Sequence, residues 1–175
     1  MKNLENVDLI IKQAQDIQPD ELNEKLSDGD ILFIDSTHTV KNGSDVIHLI
    51  TRVLPYITKK IIIHFHDIYI PFIMPRYFVD QMCFWSEQEL LYAFLLNNKR
   101  AVVVYSSQYC NAHFSSLMNE FTFSGVFGGS SSIWFKYNGS SYSIINKFKS
   151  LRLKFAQKLI KADCFFYGLS NFIFW

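Results

Sequence analysis

The sequence predicts an α/β domain in which helices flank a parallel sheet. Two runs of branched apolar residues, at 31–34 and 61–65, lack polar alternation, and such runs are typical of strands buried on both faces. Each run ends abruptly in polar residues, at Asp35-Ser-Thr-His38 and at His64-Phe-His66-Asp67. Because open α/β sheets bind ligands at the carboxyl ends of their strands, we expect the functional site at these two strand ends.

Apolar periodicity predicts the elements of the first half in order. They are a strand, a helix, a strand, a helix and a strand, at residues 7–12, 19–26, 31–34, 44–55 and 61–65. Pro19 and the acidic residues after it mark the start of the first helix. Ser44 can cap the second helix, which Pro55 ends. Two buried strands joined by a helix within so short a span predict a parallel βαβ crossover.

The second half is predicted to continue with a loop, a helix, a strand and a β-hairpin. The loop at 68–75 is rich in aromatic residues and proline, which suits the wall of a site. The helix is expected at 86–96, the strand at 101–105, and the two strands of the hairpin at 121–127 and 132–137.

The C-terminal segment differs from the rest of the chain. Residues 145–161 interleave basic and apolar side chains at helical spacing, and an aromatic run ends at Trp175. One interpretation is an amphipathic helix that lies on a membrane surface or contacts a protein. The other, which we favour, is a helix whose apolar face docks on its own domain while its lysines face water.

The overall composition favours one soluble globular domain. The chain has 175 residues, 49% of them hydrophobic and 19% charged, with a formal net charge of +1. So small a charge gives no general attraction to nucleic acid. Seventeen phenylalanines suggest apolar surface that meets a partner, a membrane or further protein. Three scattered cysteines, the absence of a signal peptide and the absence of a membrane-spanning apolar run favour a cytoplasmic protein with reduced thiols.

Asp35 and His38 are the first candidate pair. A carboxylate at a strand end and an imidazole three residues later can face one cavity, and the pair suits a metal ligand with a general base. The alternative is an aspartate that caps the loop or the next helix, beside an exposed histidine. The spacing alone slightly favours this alternative.

His64 and His66 are the second candidate pair. Strand periodicity places both on one face, with Asp67 at the strand end. Buried histidines need polar partners, which a metal ion could supply. Alternatively, one histidine bonds the backbone and the other lines a wet cleft. With Asp35 on the neighbouring strand, a shared site is the better interpretation. Weaker candidates, each of which could be a cap or a solvated charge, are Lys41, Asp45 and Glu87.

Taken together, these motifs resemble the class I S-adenosylmethionine-dependent methyltransferases. The narrower likeness is to the small-molecule and sugar O-methyltransferase-like group, with its IDxxH motif followed by an HD motif. It covers roughly residues 7–136, including Phe84-Trp85-Ser-Glu87-Gln88 and Gly128-Gly129-Ser130-Ser131. The resemblance implies a partial Rossmann-like sheet with a C-terminal β-hairpin and helical extension. It also implies a methyltransferase-like domain at 1–142 and a basic amphipathic extension at 143–175.

The same resemblance implies roles for individual residues. Asp35 and Asp67 match the aspartates that hold a divalent cation, with His66 as a further possible ligand, and His38 matches the base. Contacts to S-adenosylmethionine are implied for Gln15, Asp16 and Asp35. The expected reaction is methyl transfer to an oxygen of a small molecule or sugar.

The chain departs from the family pattern in its N-terminal part. No glycine-rich cofactor loop is present, and the chain begins near the family's third strand, so completion by N-terminal strands is expected to be needed for activity. The alternative is a truncated, inactive methyltransferase-like domain that serves as an interaction module. A third hypothesis is a metal-dependent hydrolase that uses Asp35, His64, His66 and Asp67.

Overall fold

The protein has an α/β fold with a four-stranded mixed sheet. The computed structural model describes residues 7–120 and 131–139, which all belong to one compact unit, Met1–Ser140. The strands are β1 (Ile31–Ile34), β2 (Lys60–His66), β3 (Ala101–Ser106) and β4 (Ser132–Asn138). They lie in the order β1-β2-β4-β3 across the sheet.

Six short α-helices accompany the sheet in the described residues. They are α1 (Pro19–Lys25), α2 (Asp45–His48), α3 (Arg76–Asp80), α4 (Glu87–Leu95), α5 (Ser107–His113) and α6 (Ser115–Glu120). The predicted helices at 19–26 and 86–96 correspond to α1 and α4. As expected, Ser44 caps α2, since its Oγ accepts a hydrogen bond from the N–H of Ile47.

The predicted βαβ crossover is present. β1 and β2 are parallel neighbours, with Ile31 opposite Ile62 and Ile34 opposite Phe65. The helix between them changes geometry after α2, becoming a π-helical turn at Leu49–Val53 and a 3₁₀ turn at Leu54–Tyr56. Pro55 explains the end of this helix, because proline has no N–H to donate and its ring clashes with the preceding turn.

The sheet is mixed and not parallel as predicted, because β4 runs antiparallel between β2 and β3. Its buried residues Ile133, Phe135 and Tyr137 alternate with more polar ones, which is the pattern typical of antiparallel strands. The predicted strand at 132–137 is present as β4, and β2 and β3 pair with its two edges. The other strand predicted for the hairpin, 121–127, lies outside the described residues.

The core lies on one face of the sheet, which we call the covered face. Side chains of the strands and of the helices around α2 and α4 are buried there, among them Ile34, Val46, Ile50, Val53, Leu54, Ile63, Phe65, Leu91, Ile133 and Phe135. The opposite face, which we call the open face, carries exposed or half-buried side chains: Ile31, Phe33, Ile62, His64, Val102 and Trp134. The difference is large, since Ile63 is 0% exposed and Ile31 is 55% exposed.

Residues 7–12 form no strand, in contrast to the prediction. They lie outside any helix or strand, and Ile11 is 91% exposed. A strand requires a neighbour for its backbone hydrogen bonds, and residues 7–12 pair with none of the four described strands.

The C-terminal extension at 143–175, with its two interpretations, lies outside the described residues. Among the residues that are described, no helix has the length and apolar character to cross a bilayer.

Truncating a side chain on the covered face is expected to destabilise the protein more than truncating one on the open face. We expect Ile63→Ala to lower the free energy of unfolding by about 2–5 kcal/mol, because it leaves a cavity in the core. Ile31→Ala, the matched change on the open face, should cost less than about 1 kcal/mol. Urea unfolding followed by circular dichroism measures both, and equal costs would contradict this assignment of the core.

Candidate functional site

The carboxyl ends of β1 and β2 bring the predicted residues to one edge of the sheet. Asp35 directly follows β1, Asp67 directly follows β2, and His38 lies in the loop after Asp35. His38 and Asp67 both adopt positive φ angles, of 59° and 55°. Non-glycine residues rarely adopt this conformation, and when they do they often belong to functional sites whose surroundings compensate the strain.

Asp35, His38 and Asp67 surround one point. The Nε2 atom of His38 lies 3.7 Å from Oδ1 of Asp35 and 3.6 Å from Oδ2 of Asp67. One ligand atom from each of the three residues lies within 4.8 Å of the others. Two carboxylates and an imidazole at this separation form a set of donors that a divalent transition-metal ion can accept.

Glu87 fixes the orientation of His38. The Glu87 side chain is only 2% exposed, and its Oε2 atom lies 2.8 Å from Nδ1 of His38. Its other oxygen accepts a 2.7 Å hydrogen bond from the hydroxyl of Ser36. Because a carboxylate can only accept, Nδ1 carries a proton, and Nε2 is the nitrogen that faces Asp35 and Asp67.

The backbone of α4 also holds the loop that carries His38. The N–H groups of Ser86 and Glu87 donate to the carbonyl oxygen of His38, at 2.9 and 3.1 Å. The hydroxyl of Ser86 accepts from the N–H of Val40 at 2.9 Å. The start of α4 therefore fixes both the main chain and the side chain of His38.

Three acidic neighbours favour the protonated form of His38. The hydrogen bond that His38 donates to Glu87 is the largest cause that raises the pKa of His38, and it outweighs burial, which lowers the pKa. The charges of Glu87, Asp67 and Asp35 raise it further. Protonation of His38 therefore stabilises the folded protein. This contribution is complete below pH 6.5, the ordinary pKa of the group, and is lost as the pH rises through the raised pKa.

Asp45 supports the same loop from the side of α2. It is 8% exposed and accepts hydrogen bonds from the N–H of Thr37 at 2.9 Å and from its hydroxyl at 2.6 Å. Burial opposes the ionisation of Asp45, but the hydrogen bonds from Thr37 and Val46 outweigh it and hold the pKa below its usual value. Asp45 thus acts as a cap, which is one of the two roles that the sequence left open.

An aromatic wall borders the site on the side of α3. The ring of Trp85 lies against the imidazole of His38, with centroids 4.4 Å apart, and Phe78 lies 4.7 Å from Trp85. Tyr69 contacts Phe78 from the loop that was predicted to form a wall. A bound molecule at the two aspartates would therefore meet an apolar surface on one side.

His64 and His66 do not join the three-residue cluster. His64 stacks on Trp134 at 3.9 Å and lies 4.8 Å from Phe33, on the open face. Burial, and then the charge of His66, lower the pKa of His64. The Nδ1 atom of His66 is 3.2 Å from Oδ1 of Asp67 but forms no hydrogen bond. The ligand set of the hydrolase hypothesis is therefore not assembled.

The residues expected to contact a cofactor lie beside a small cleft. Gln15 and Asp16 belong to a 3₁₀ turn, Ala14–Asp16, and Gln15 donates to the carbonyl oxygen of Gly43 at 3.3 Å. A cleft of about 210 Å³ lies next to this turn, and its lining is largely apolar: Ala14, Ile17, Leu22, Leu32, Phe33, Ile34, Asp35, Ser36, Asp45 and Leu49. Asp35 lines it, whereas Gln15 and Asp16 do not.

This cleft does not fit S-adenosylmethionine. Pockets that hold ligands of that class usually measure roughly 300–1,000 Å³, and the cleft is smaller. No glycine lines it to allow a close approach of the backbone. This cleft alone therefore does not form a complete site for that cofactor.

The spacing of residues in the sequence did not predict the contact between Glu87 and His38. It lies 49 positions after His38, and the residues alone gave it only as a weak candidate. The one signal for it was its place in the Phe84-Trp85-Ser-Glu87-Gln88 motif. Ser131, which donates to Oδ1 of Asp67 at 3.0 Å, also belongs to a motif of the resemblance.

The comparisons with known proteins identify no relative. The chain matches no protein-family model, and neither the curated proteins nor the solved structures contain a significant match to it. The family resemblance therefore rests on the quoted motifs alone.

The contact between Glu87 and His38 makes a prediction for titration. We expect Glu87→Gln, which keeps the shape but removes the charge, to lower the pKa of His38, because the largest cause of its increase is lost. NMR titration of the imidazole signals measures the pKa. Asp80→Asn, at an exposed aspartate paired with Arg76, is the control that should leave the pKa unchanged. An unaltered pKa in Glu87→Gln would contradict the assigned contact.

Proposed function

We propose that Asp35, His38 and Asp67 form the acceptor-activating site of a methyltransferase-like protein. The observation that carries the proposal is the convergence of these three side chains, with His38 held by the buried Glu87. In this assignment Asp35 and Asp67 hold a divalent cation, and His38 accepts the proton of the acceptor. The strands β1, β2 and β3 run in one direction, so the site has the position expected for a ligand site of an open α/β sheet.

The residues present fit a divalent cation. Asp35 and Asp67 each offer a carboxylate oxygen to the cation, close to Nε2 of His38. Nε2 is left for the acceptor, because the carboxylate of Glu87 binds Nδ1 and so fixes the tautomer and the ring orientation. His66 lies next to the cluster through Asp67, and we keep it as a secondary candidate ligand.

The chemistry of the site is removal of a proton from a hydroxyl group. Asp35 and Asp67 would hold a cation that, when bound, would lower the pKa of a nearby hydroxyl group and offset the negative charge that favours the protonated form of His38. With Glu87 holding the Nδ1 proton, Nε2 of His38 is the atom that accepts the proton of the acceptor. Trp85 limits the motion of the ring and excludes water from one side.

The acceptor class and the methyl donor follow from the resemblance. The motifs imply an oxygen of a small molecule or sugar as acceptor and S-adenosylmethionine as donor. Because the cleft along β1 does not fit the donor, we infer that methyl transfer needs further strands beside β1.

The second candidate function is an interaction module without catalysis. It is favoured by the open face, which exposes Ile31, Phe33 and Val102, and by the small size of the cleft. An apolar sheet face of this kind is a usual place for contact with other protein.

The proposal predicts metal binding at the two aspartates. We expect the full chain to bind Mn²⁺, and Asp35→Asn and Asp67→Asn each to weaken that affinity by at least about tenfold. Asp80→Asn removes an exposed carboxylate at the end of α3 and is the matched control. Isothermal titration calorimetry measures the affinities. Equal binding by all three variants would contradict the proposed cation site.

The proposal also predicts weak binding of the methyl donor. We expect titration of the full chain with S-adenosylmethionine, with and without Mn²⁺, to give no dissociation constant in the low-micromolar range. The reason is that side chains without a glycine loop prevent the close backbone approach that the donor requires. Tight binding by the chain alone would contradict the inference that this chain lacks a complete donor site.

A further inference from the structure

The free edge of β1 is an unfinished part of the sheet. In the described residues β1 pairs with β2 along one edge and has no strand on the other. An edge strand presents unpaired N–H and C=O groups and so attracts another extended segment. Ile31 and Phe33 are 55% and 53% exposed on this strand, and the exposed edge therefore combines free backbone groups with apolar side chains.

The cleft described above follows this edge. Its lining includes five consecutive residues, Leu32 to Ser36. Successive strand residues point to opposite faces, so a cleft that contacts all five borders the backbone edge and not one face alone. The lining contributed from outside β1 and its loop is mostly apolar, with Ala14, Ile17, Leu22 and Leu49. These features suit the binding of an extended apolar peptide that adds a strand to the sheet.

Residues 7–11 of the same chain have the properties of such a peptide. They lie outside any helix or strand, although their sequence predicts a strand. Four of the five are apolar and between 59% and 91% exposed: Val7, Leu9, Ile10 and Ile11. Apolar residues on both sides of a strand are typical of one that is covered on both faces.

The segment is unpaired in its own chain. Only two residues separate Ile11 from Ala14, which lines the cleft. Lys12 forms a 2.7 Å ion pair with Glu21 of α1, and Ile11 is almost fully exposed. The segment therefore begins beside the cleft, but it pairs with none of the described strands and leaves its apolar side chains in water.

We propose that residues 7–11 of one copy add as a strand to the free edge of β1 in a second copy. Every chain carries one donor segment and one acceptor edge, so the exchange is reciprocal and closes as a symmetric dimer. Each added strand satisfies backbone groups of β1 and buries the four exposed apolar side chains between two molecules. The interface uses neither His38 nor Glu87, but it borders Asp35, which lines the same cleft.

The oligomeric state of the full chain tests this proposal. Sedimentation velocity over a wide range of protein concentration is expected to show a dimer that dissociates on dilution. The donor variant, Leu9→Asp with Ile11→Asp, and the acceptor variant, Ile31→Lys with Phe33→Lys, should each be monomeric. All of these positions are exposed, and circular dichroism verifies that the variants fold.

Mixing the two variants gives the sharpest test. The acceptor variant keeps an intact segment, the donor variant keeps an intact edge, and their mixture should form a dimer that neither forms alone. Ile73→Lys changes an isoleucine that is 88% exposed on another surface and should leave the dimer intact. A wild-type monomer, a dimer that survives either pair of substitutions, or loss of the dimer in Ile73→Lys would overturn the proposal.

Hydrogen exchange shows whether the strand that pairs with β1 comes from a second copy or from the same chain. In the dimer, amides of β1 on the free edge should become protected as the protein concentration rises. Protection that is complete in a monomer would mean that residues 7–11 pair within their own chain, and this result also overturns the proposal.

Discussion

The parallel pairing of β1 with β2 is the constraint on which the candidate site depends. Ile34 lies opposite Phe65, so the two strands reach the same edge of the sheet within about one residue of each other. An antiparallel pair would place Asp35 and Asp67 at opposite edges, and a slip by one residue would turn every side chain of a strand to the other face. The core residues on the covered face favour this register, because a slip by one residue would no longer bury Ile34 on the same face as Ile63 and Phe65.

Local sequence determines much of this fold, but it does not determine the order of the strands. Apolar runs and caps were sufficient to locate β1, β2, α1 and α4. The position of β4 between β2 and β3 could not be predicted, because strand pairing depends on which edges the other strands leave free. Residues 7–12 show the same limit, as a strand propensity has no effect without a neighbour.

Some residues of the candidate site could likewise be predicted from the local sequence, whereas others depend on contacts between distant parts of the chain. Asp35, His38 and Asp67 were predictable because each follows closely on a strand end. Glu87 comes from a helix far along the chain, and no spacing rule connects it with His38. His64 was correctly placed on one face with His66, yet its neighbours are the rings of Phe33 and Trp134 and not a metal ligand. That outcome depends on the register with β4, which pairs His64 with Trp134.

Asp35 connects the candidate site to the unfinished edge of the sheet. Its carboxylate belongs to the three-residue cluster, and the same residue lines the cleft along β1. The side chain is now 51% exposed, so water stabilises its charge. A strand added to β1 would remove part of that water and make the unpaired carboxylate more costly. The attraction of Asp35 to His38 or to a bound cation would then become stronger, since a lower local dielectric strengthens each charge interaction. Completion of the sheet and formation of the site are in this way coupled through one residue.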